Sequence, residues 1–339
     1  MTFEQIISDI HKKKYAPIYF LMGEEPYFID AISDTIEEEV IDETEKAFNQ
    51  IVVYGRDVDI DTVATHAKSF SMMGGYMVVI VKEAQDLKNI EDFEKYLDVI
   101  PNTTILVFDY KYKKLDKRRA MSKKIEKMGG VLFESKKLYE SNIPGWIQNY
   151  LAGKGYSITP KATQMLTDFL GTDLHKVRNE LDKLIVALPK QKKIDDADVE
   201  RNIGISKDFN VFELQNALGR RDAMKAMQIV QHFGESKDNP LFLTAISLYG
   251  YFTKILKVHY ATDPSQNALA TAIGVSPFFV RDYQAAARNY SIGDCVRCIS
   301  VLREYDLKSK GYNTGDTPEK ELYREMIFKL LHQFLPSVF

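Results

Sequence analysis

The chain has 339 residues, of which 45% are hydrophobic and 27% are charged, and its formal net charge is −3. Such length and composition are typical of a soluble protein with two or three domains. The small net charge excludes a global basic field that would hold nucleic acid. No uninterrupted apolar run approaches the roughly 20 residues that span a bilayer, and two cysteines are too few for a disulfide framework. We therefore expect a cytoplasmic protein that makes no membrane contact.

The first 140 residues alternate short apolar segments with amphipathic ones. Because strands that are apolar throughout and separated by helices belong to sheets covered on both faces, this pattern predicts a parallel α/β domain. Asp59 and Asp61 are alternative N-caps of the second predicted helix, and Gly74 and Gly75 are expected to end it. The predicted strands lie within residues 17–23, 48–55, 76–84, 103–110 and 129–135, and the predicted helices at 26–42 and 59–73.

From about Leu138 the strand pattern stops and helical periodicity takes over. Asp173 and Asp222 are predicted N-caps within this part, and an irregular segment near residue 208 separates a small helical unit from a larger one. Residues 241–260 are apolar on nearly every face, so this helix is either surrounded by its own core or packed against another subunit. The sequence predicts three domains, at residues 1–140, 141–208 and 209–339.

Residues 18–30, IYFLMGEEPYFID, have the frame of a nucleotide-binding site: an apolar strand, a glycine turn and a helix. A phosphate-binding loop aims backbone N–H groups and a helix N-terminus at the phosphates, followed by a lysine and a Ser or Thr. Here Gly23 is able to make the turn, but Glu24 and Glu25 follow it. These carboxylates suit the positive end of a helix and would repel a triphosphate.

A second segment, residues 78–87 (VVIVKEAQDL), has the form of the strand that holds magnesium in ATPases. Lys82 stands where the first acidic residue normally binds the metal, and only Glu83 remains acidic. The residues alone leave three alternatives open. The domain has lost its nucleotide site, it never bound nucleotide, or it is an active nucleotide hydrolase with an unusual loop.

Five segments occur in this order along the chain: YFLMGEEPYFID, VVIVKEAQDL, DVIPNTTILVF, LDKLIVAL and FNVFELQNAL. Taken together, they resemble the delta subunit of the bacterial DNA polymerase III clamp loader over essentially the whole chain. The resemblance implies an AAA+-type fold, with a helical lid at 141–208 and a collar at 209–339 that joins a five-subunit ring. It also implies a subunit that does not hydrolyse ATP, needs no cofactor, and binds and opens the sliding clamp (beta). The implied partners are the ATPase subunits (gamma/tau) and delta-prime.

In the delta family, the end of the helix before the third strand carries the clamp-binding element, usually a small residue followed by two bulky apolar ones. Ser71, Met72 and Met73 match that position, preceded by Phe70. The match departs from the family in having Met-Met instead of the more frequent Leu-Phe, although methionine fills irregular pockets well. The alternative interpretation is that these residues are core residues at a helix end.

Residues 111–127 hold nine Lys or Arg against two acidic residues. Such a segment is either a solvated face or a contact for DNA phosphates in the assembled complex. The candidate DNA contacts are Lys113, Lys114, Lys117, Arg118 and Arg119.

Residues 269–288 have the spacing of a helix-turn-helix, with Gly274 in the turn, which makes a DNA-binding protein a further alternative. Phe278 and Phe279 are instead expected to pack, which favours a collar helix pair. Cys295 and Cys298 form a single C-x-x-C, whereas a zinc site needs four ligands, so we expect both cysteines to pack in a core.

Overall fold

The structure is a computed structural model that describes residues 1–71, 75–190, 193–206, 208–235 and 240–332. Met72 and Met73 therefore lie outside the described residues. The chain divides into two compact units, Met1–Leu138 and Tyr139–Phe339. The division into three domains, with a lid and a collar in the second unit, stays a prediction.

The first unit is a five-stranded sheet with helices on both faces. Its strands and helices are α1 (Phe3–His11), β1 (Ile18–Gly23), α2 (Pro26–Glu39), α3 (Lys46–Asn49), β2 (Gln50–Tyr54), α4 (Ile60–Ala67), β3 (Met77–Lys82), β4 (Thr104–Lys111), α5 (Ala120–Lys127) and β5 (Val131–Ser135). Two 3₁₀ segments, Ala84–Asp86 and Ile90–Val99, connect β3 to β4. All five strands were predicted from their apolar segments.

The strands run parallel in the order β2-β3-β4-β1-β5. Every residue of β1 is buried, because helices cover both faces of the sheet at its centre. Side chains alternate between two cores: Phe20 and Phe108 face α4 and α5, while Leu21 and Val107 face α1 and α2. A parallel sheet brings the carboxyl ends of its strands to one edge, where Gly23 lies beside Lys111 and Ser135.

Helix α4 is shorter than predicted. Asp59 caps it by accepting a hydrogen bond from Thr62 N, which decides between the two predicted caps. The helix ends at Ala67, with Lys68 as its C-cap, so the prediction that it continues to residue 73 and ends at Gly74 and Gly75 was wrong. The segment with Phe70 is therefore not helical.

The second unit is mainly helical. Its helices are α6 (Ile143–Gly153), α7 (Pro160–Leu170), α8 (Leu174–Ala187), α9 (Asp196–Ile203), α10 (Val211–Gly219), α11 (Ala223–Glu235), α12 (Leu241–Tyr260), α13 (Gln266–Ile273), α14 (Val280–Asn289), α15 (Ile292–Ser309) and α16 (Glu319–Leu331). Asp173 and Asp222 cap α8 and α11, as predicted. The sequence did not predict the short parallel ladder of β6 (Ser157–Ile158) with β7 (Lys193–Ile194), because two-residue strands show no periodicity.

Helix α12 buries one face only. Leu248, Phe252 and Ile255 belong to the helical core, while the opposite face is exposed to solvent. The alternative that this helix is surrounded by its own core was therefore wrong. By length and composition α12 could also cross a membrane, contrary to the sequence expectation, but core helices of soluble proteins pass the same test.

Candidate functional site

The turn between β1 and α2 consists of only two residues, Glu24 and Glu25. A phosphate-binding loop needs a motif of about eight residues to surround its anion. Gly23 has φ +130°, and a Cβ at this position would lie 2.0 Å from the Ser135 carbonyl oxygen. The glycine is therefore required for the close approach of β1 to β5, independently of any ligand.

Two hydrogen bonds fix this turn to β5. The Glu24 N–H donates to the Ser135 carbonyl at 2.9 Å, and the Ser135 hydroxyl donates to the Glu25 carbonyl at 2.6 Å. Because Ser135 is itself buried, the turn is held against the sheet and has little freedom to rearrange around a ligand.

The N-terminus of α2 already carries an anion from its own chain. Glu25 is the N-cap and is 5% exposed, and its carboxylate accepts a hydrogen bond from Tyr27 N at 3.2 Å. Pro26, the first helical residue, has no N–H to offer. A helix N-terminus binds phosphate through free N–H groups and its positive dipole. Here a carboxylate occupies the position that favours a negative charge.

Two lysines stand at the carboxyl edge of the sheet and are paired with carboxylates. Lys82 Nζ lies 2.7 Å from Glu37 Oε2 and 3.4 Å from Asp34 Oδ1. Burial alone would lower the pKa of Lys82, but the hydrogen bond and charge of Glu37, together with Asp34, outweigh burial and raise it. An ammonium fixed in this way opposes a metal ion at the same place.

The second lysine, Lys111, lies at the end of the central strand β4. Its Nζ lies 2.7 Å from both Asp30 Oδ1 and Glu83 Oε1. Burial opposes the charge of Lys111, but the hydrogen bonds to Asp30 and Glu83 raise its pKa overall. Burial likewise favours the neutral form of Glu83, but its hydrogen bonds from Lys111 and Gln85 lower its pKa. Glu83, the one acid left in the magnesium-binding pattern, is thus engaged by a lysine.

Asp109 lies on β4 beneath these pairs and is completely buried. Neither of its carboxyl oxygens has a hydrogen-bond partner among the described residues. Burial raises the pKa of Asp109 to about 8, and the negative charge of Asp30 acts in the same direction. The neighbouring Ser33 hydroxyl favours the ionised form but does not outweigh burial. Asp109 therefore favours its neutral form far more than an exposed carboxyl does.

The structure brings together Gly23, Glu24, Glu25, Lys82 and Glu83 at one edge of the sheet, as their predicted places on strand ends imply. Sequence reasoning missed Lys111 and Asp109. Alternation along β4 gives a signal for Asp109, which shares a face with the buried Ile105 and Val107. No sequence signal marks Lys111, because its partner Asp30 is 81 positions away along the chain.

All five candidate DNA-contact residues have partners within the first unit. Lys114 lies 3.2 Å from Glu134, and Lys117 lies 3.6 Å from the same carboxylate. Arg118 pairs with Asp116, Arg119 with Glu91, and Lys113 donates to the Gln85 carbonyl. Binding a phosphate would replace these contacts, so the pairs reduce the positive field of this segment. The DNA contact stays a prediction.

The predicted clamp-binding element begins at Phe70, three residues after the end of α4. Phe70 is 76% exposed, so the interpretation of Phe70 as a core residue was wrong. Ser71 is partly buried. The fold leaves this large aromatic side chain exposed to solvent. It is available to a partner, because burying it in an interface would be favourable.

The helix-turn-helix candidate consists of α13, the left-handed Gly274 and α14. Phe279 is buried, as expected, but Phe278 is exposed, so the expectation that both pack was wrong for Phe278. The first turns of α14 contribute Val280 and Tyr283 to the interior. Cys295 and Cys298 are buried in the helical core on α15, as expected.

Comparison with a solved structure supports the observed fold. The chain is similar to the Bacillus subtilis DNA clamp loader delta protein, with a TM-score of 0.56 and 24% sequence identity over 97% of this chain and 99% of that one. The prediction of a parallel-sheet domain followed by helical regions is confirmed.

Sequence comparison then gives the family. The model described as "DNA polymerase III, delta subunit" matches residues 19–135, and "DNA polymerase III delta subunit, C-terminal domain" matches residues 208–329. Together they span more than half of the chain, which therefore belongs to the DNA polymerase III delta subunit family. DNA polymerase III subunit delta of Bacillus subtilis is 25% identical, covering 98% of this chain and 97% of the relative. A probable delta subunit of Aquifex aeolicus is 23% identical, covering 94% and 90%.

Replacing Asp109 by Asn is expected to raise the free energy of unfolding, by an amount that grows as the pH rises from 4 to 8. The pKa of Asp109 is about 8 in the folded chain, against an ordinary value of 3.8. Between these values the folded state holds a proton that the unfolded state has released, so the stability of the unchanged chain falls as the pH rises. An amide side chain at this position does not titrate, so the substitution removes this dependence.

Urea unfolding at pH 5, 6, 7 and 8 measures the effect, with a difference of more than about 1 kcal/mol expected at pH 8. The exposed Asp92→Asn change in the same unit controls for the loss of a carboxylate. A stability difference for Asp109→Asn that does not vary with pH would contradict the assignment.

Proposed function

We propose that this chain is the delta subunit of a clamp loader, that it binds the replication sliding clamp through residues 70–73, and that it opens the clamp without hydrolysing ATP. Its further partners are the ATPase subunits gamma/tau and delta-prime, in the cytoplasm. The observation that carries the proposal is the exposed Phe70 beside Ser71, Met72 and Met73, at the position of the clamp-binding element in the family. Burying one such side chain in a partner contributes about 1.5–3 kcal/mol before ordering costs.

The geometry of the sheet edge supports a role without catalysis. The turn after β1 is two residues long, the α2 N-terminus is capped by Glu25, and Lys82 is held by Glu37 and Asp34. Phosphoryl transfer depends on electrostatic stabilisation by a phosphate-binding loop and magnesium. In this site the group that would hold magnesium is an ammonium, and the anion position carries a carboxylate. These features favour loss of the site over an active hydrolase.

The exposed face of α12 supports assembly with other subunits. Phe242, Leu243, Ile246 and Tyr249 recur at helical spacing along it, and each is between 41% and 56% exposed. A contiguous apolar face of this kind is typical of an interaction surface. We propose that it packs against a neighbouring clamp-loader subunit, which is the second of the two alternatives that the sequence left open for this helix.

Clamp opening then follows from differential binding. A subunit that binds the clamp better when one of its interfaces is open shifts a two-state equilibrium of the ring towards the open state. The shift cannot exceed the difference between the two binding free energies. ATP bound to the partner subunits would control whether residues 70–73 are accessible to the clamp. In this mechanism the chain itself makes and breaks no covalent bond.

Phe70→Ala is expected to weaken clamp binding about tenfold or more, because it removes an apolar side chain that becomes buried in the complex. The double change Met72→Ala and Met73→Ala is expected to abolish binding. The Phe70→Ala variant should not change the melting temperature appreciably, since Phe70 is exposed in the free chain. The measurement is titration of the chain with the organism's own sliding clamp, in the absence of ATP.

Phe48→Ala is the matched control, because Phe48 is also a largely exposed phenylalanine of the first unit, 59% exposed. It is expected to bind the clamp as the unchanged chain does. Unchanged affinity in both the Phe70 variant and the double methionine variant would remove this site.

Ile246→Glu is expected to prevent stable incorporation of the chain into a complex with the ATPase subunits and delta-prime. A carboxylate on the apolar face would have to be desolvated in the interface. Because Ile246 is 56% exposed, the isolated chain should still fold. Size-exclusion chromatography of the mixed subunits provides the readout, and Val186→Glu, at an exposed valine of α8, is the control. Normal co-elution of the Ile246→Glu chain would exclude this face of α12 as the assembly surface.

A further inference from the structure

The presenting segment lies between the end of α4 and the start of β3, and the structure describes its residues 68–71, 75 and 76, which include the exposed Phe70. A buried side chain from a different strand holds its first end. The Thr104 hydroxyl donates a hydrogen bond of 3.0 Å to the carbonyl oxygen of Ala67, the last residue of α4. Thr104 is the first residue of β4 and is fully buried.

The last four carbonyls of a helix have no partner within the helix. A buried carbonyl that lacks a hydrogen bond is costly, and the Thr104 hydroxyl supplies one to Ala67. Valine has the same branched shape and suits a buried strand at least as well. The group that distinguishes threonine at this position is therefore the hydroxyl, and its contact is the terminus of the helix that leads into Phe70.

The residue that precedes β4 holds the other end of the presenting segment. Thr103 accepts a hydrogen bond from Met77 N at 2.9 Å through its carbonyl. Tyr76 also packs edge-on against Tyr15, with 5.3 Å between the ring centroids. Two consecutive residues, Thr103 and Thr104, thus fix both ends of the segment to the central sheet.

A third contact restrains the segment immediately after α4. Lys68 Nζ lies 4.7 Å from the centroid of the Tyr96 ring, and the Tyr96 hydroxyl is hydrogen-bonded to Asp61 on α4. These contacts limit the directions in which the Phe70 side chain can project from the first unit.

We propose that Thr104 is a positioning residue for clamp binding. It orients the end of α4, so that less conformational freedom is lost when Phe70 enters the partner. The inference rests on the proposed function, since it assigns a role in presenting the same clamp-binding element. Thr104 itself touches no partner, because it is buried in the sheet.

Three variants separate the hydroxyl from the shape of the side chain. Thr104→Val removes the hydroxyl and is expected to weaken clamp binding about three- to tenfold. Thr104→Ser keeps the hydroxyl, so its affinity for the clamp is expected to lie within about twofold of that of the unchanged chain. The control is Thr35→Val on α2, which removes a bond of the same chemistry, from the Thr35 hydroxyl to the Ala31 carbonyl at 2.6 Å. It should leave clamp affinity unchanged.

A double-mutant cycle with Phe70→Ala distinguishes positioning from a general loss of stability. If Thr104 acts by presenting Phe70, Thr104→Val should cost less than about twofold in affinity once Phe70 is already alanine. Additive effects in the cycle would overturn the inference. If Thr104→Val lowers the melting temperature more than Thr35→Val does, the cycle is measured at a temperature at which every variant is fully folded, and it is judged by the same criterion.

The two proposals fail in different ways. If Phe70→Ala weakens clamp binding but Thr104→Val does not, the role of Thr104 is overturned and the clamp site stands. If neither Phe70→Ala nor the double methionine variant weakens binding, the proposed clamp site is overturned. The proposed role of Thr104 is then overturned as well, because it depends on that site.

Discussion

The ion pairs of Lys82 and Lys111 with carboxylates of α2 determine the charge at the candidate nucleotide site. Parallel strands and the positive end of α2 converge at this edge, which in other α/β proteins is where ligands bind. Here Glu37, Asp34 and Asp30 provide the opposite charges, and Glu25 occupies the helix N-terminus. The charges of the edge are satisfied within the chain, so the frame holds itself together without a bound anion or metal.

The opposite end of the same sheet, where its strands begin, lies next to the proposed clamp-binding element. β3 and β4 begin there, and their first residues hold the two ends of the segment that exposes Phe70. The edge with the paired lysines and the edge next to Phe70 are thus two ends of one sheet. Under the proposed function, the five-stranded sheet would serve to position the clamp-binding element.

The sequence predicted the five strands because each is an apolar segment bounded by turn residues, and it predicted the caps Asp59, Asp173 and Asp222 because capping is local. It placed the end of α4 too late: the helix ends at Ala67, whose carbonyl accepts a hydrogen bond from Thr104 of a strand that is distant in sequence. Lys111 was read only as part of a basic segment, since its partners Asp30 and Glu83 are far away in sequence. Adjacent apolar residues also do not indicate which one faces the core, as Phe278 and Phe279 demonstrate.

The central claim is that the nucleotide frame has been closed by its own side chains, and calorimetric titration of the isolated chain with ATP and magnesium tests it most directly. The account predicts no saturable heat up to about 1 mM nucleotide, corresponding to a binding free energy weaker than about −4 kcal/mol. Stoichiometric, magnesium-dependent binding with a micromolar dissociation constant would contradict it, because the pairs of Lys82 and Lys111 would then have to open to admit a triphosphate.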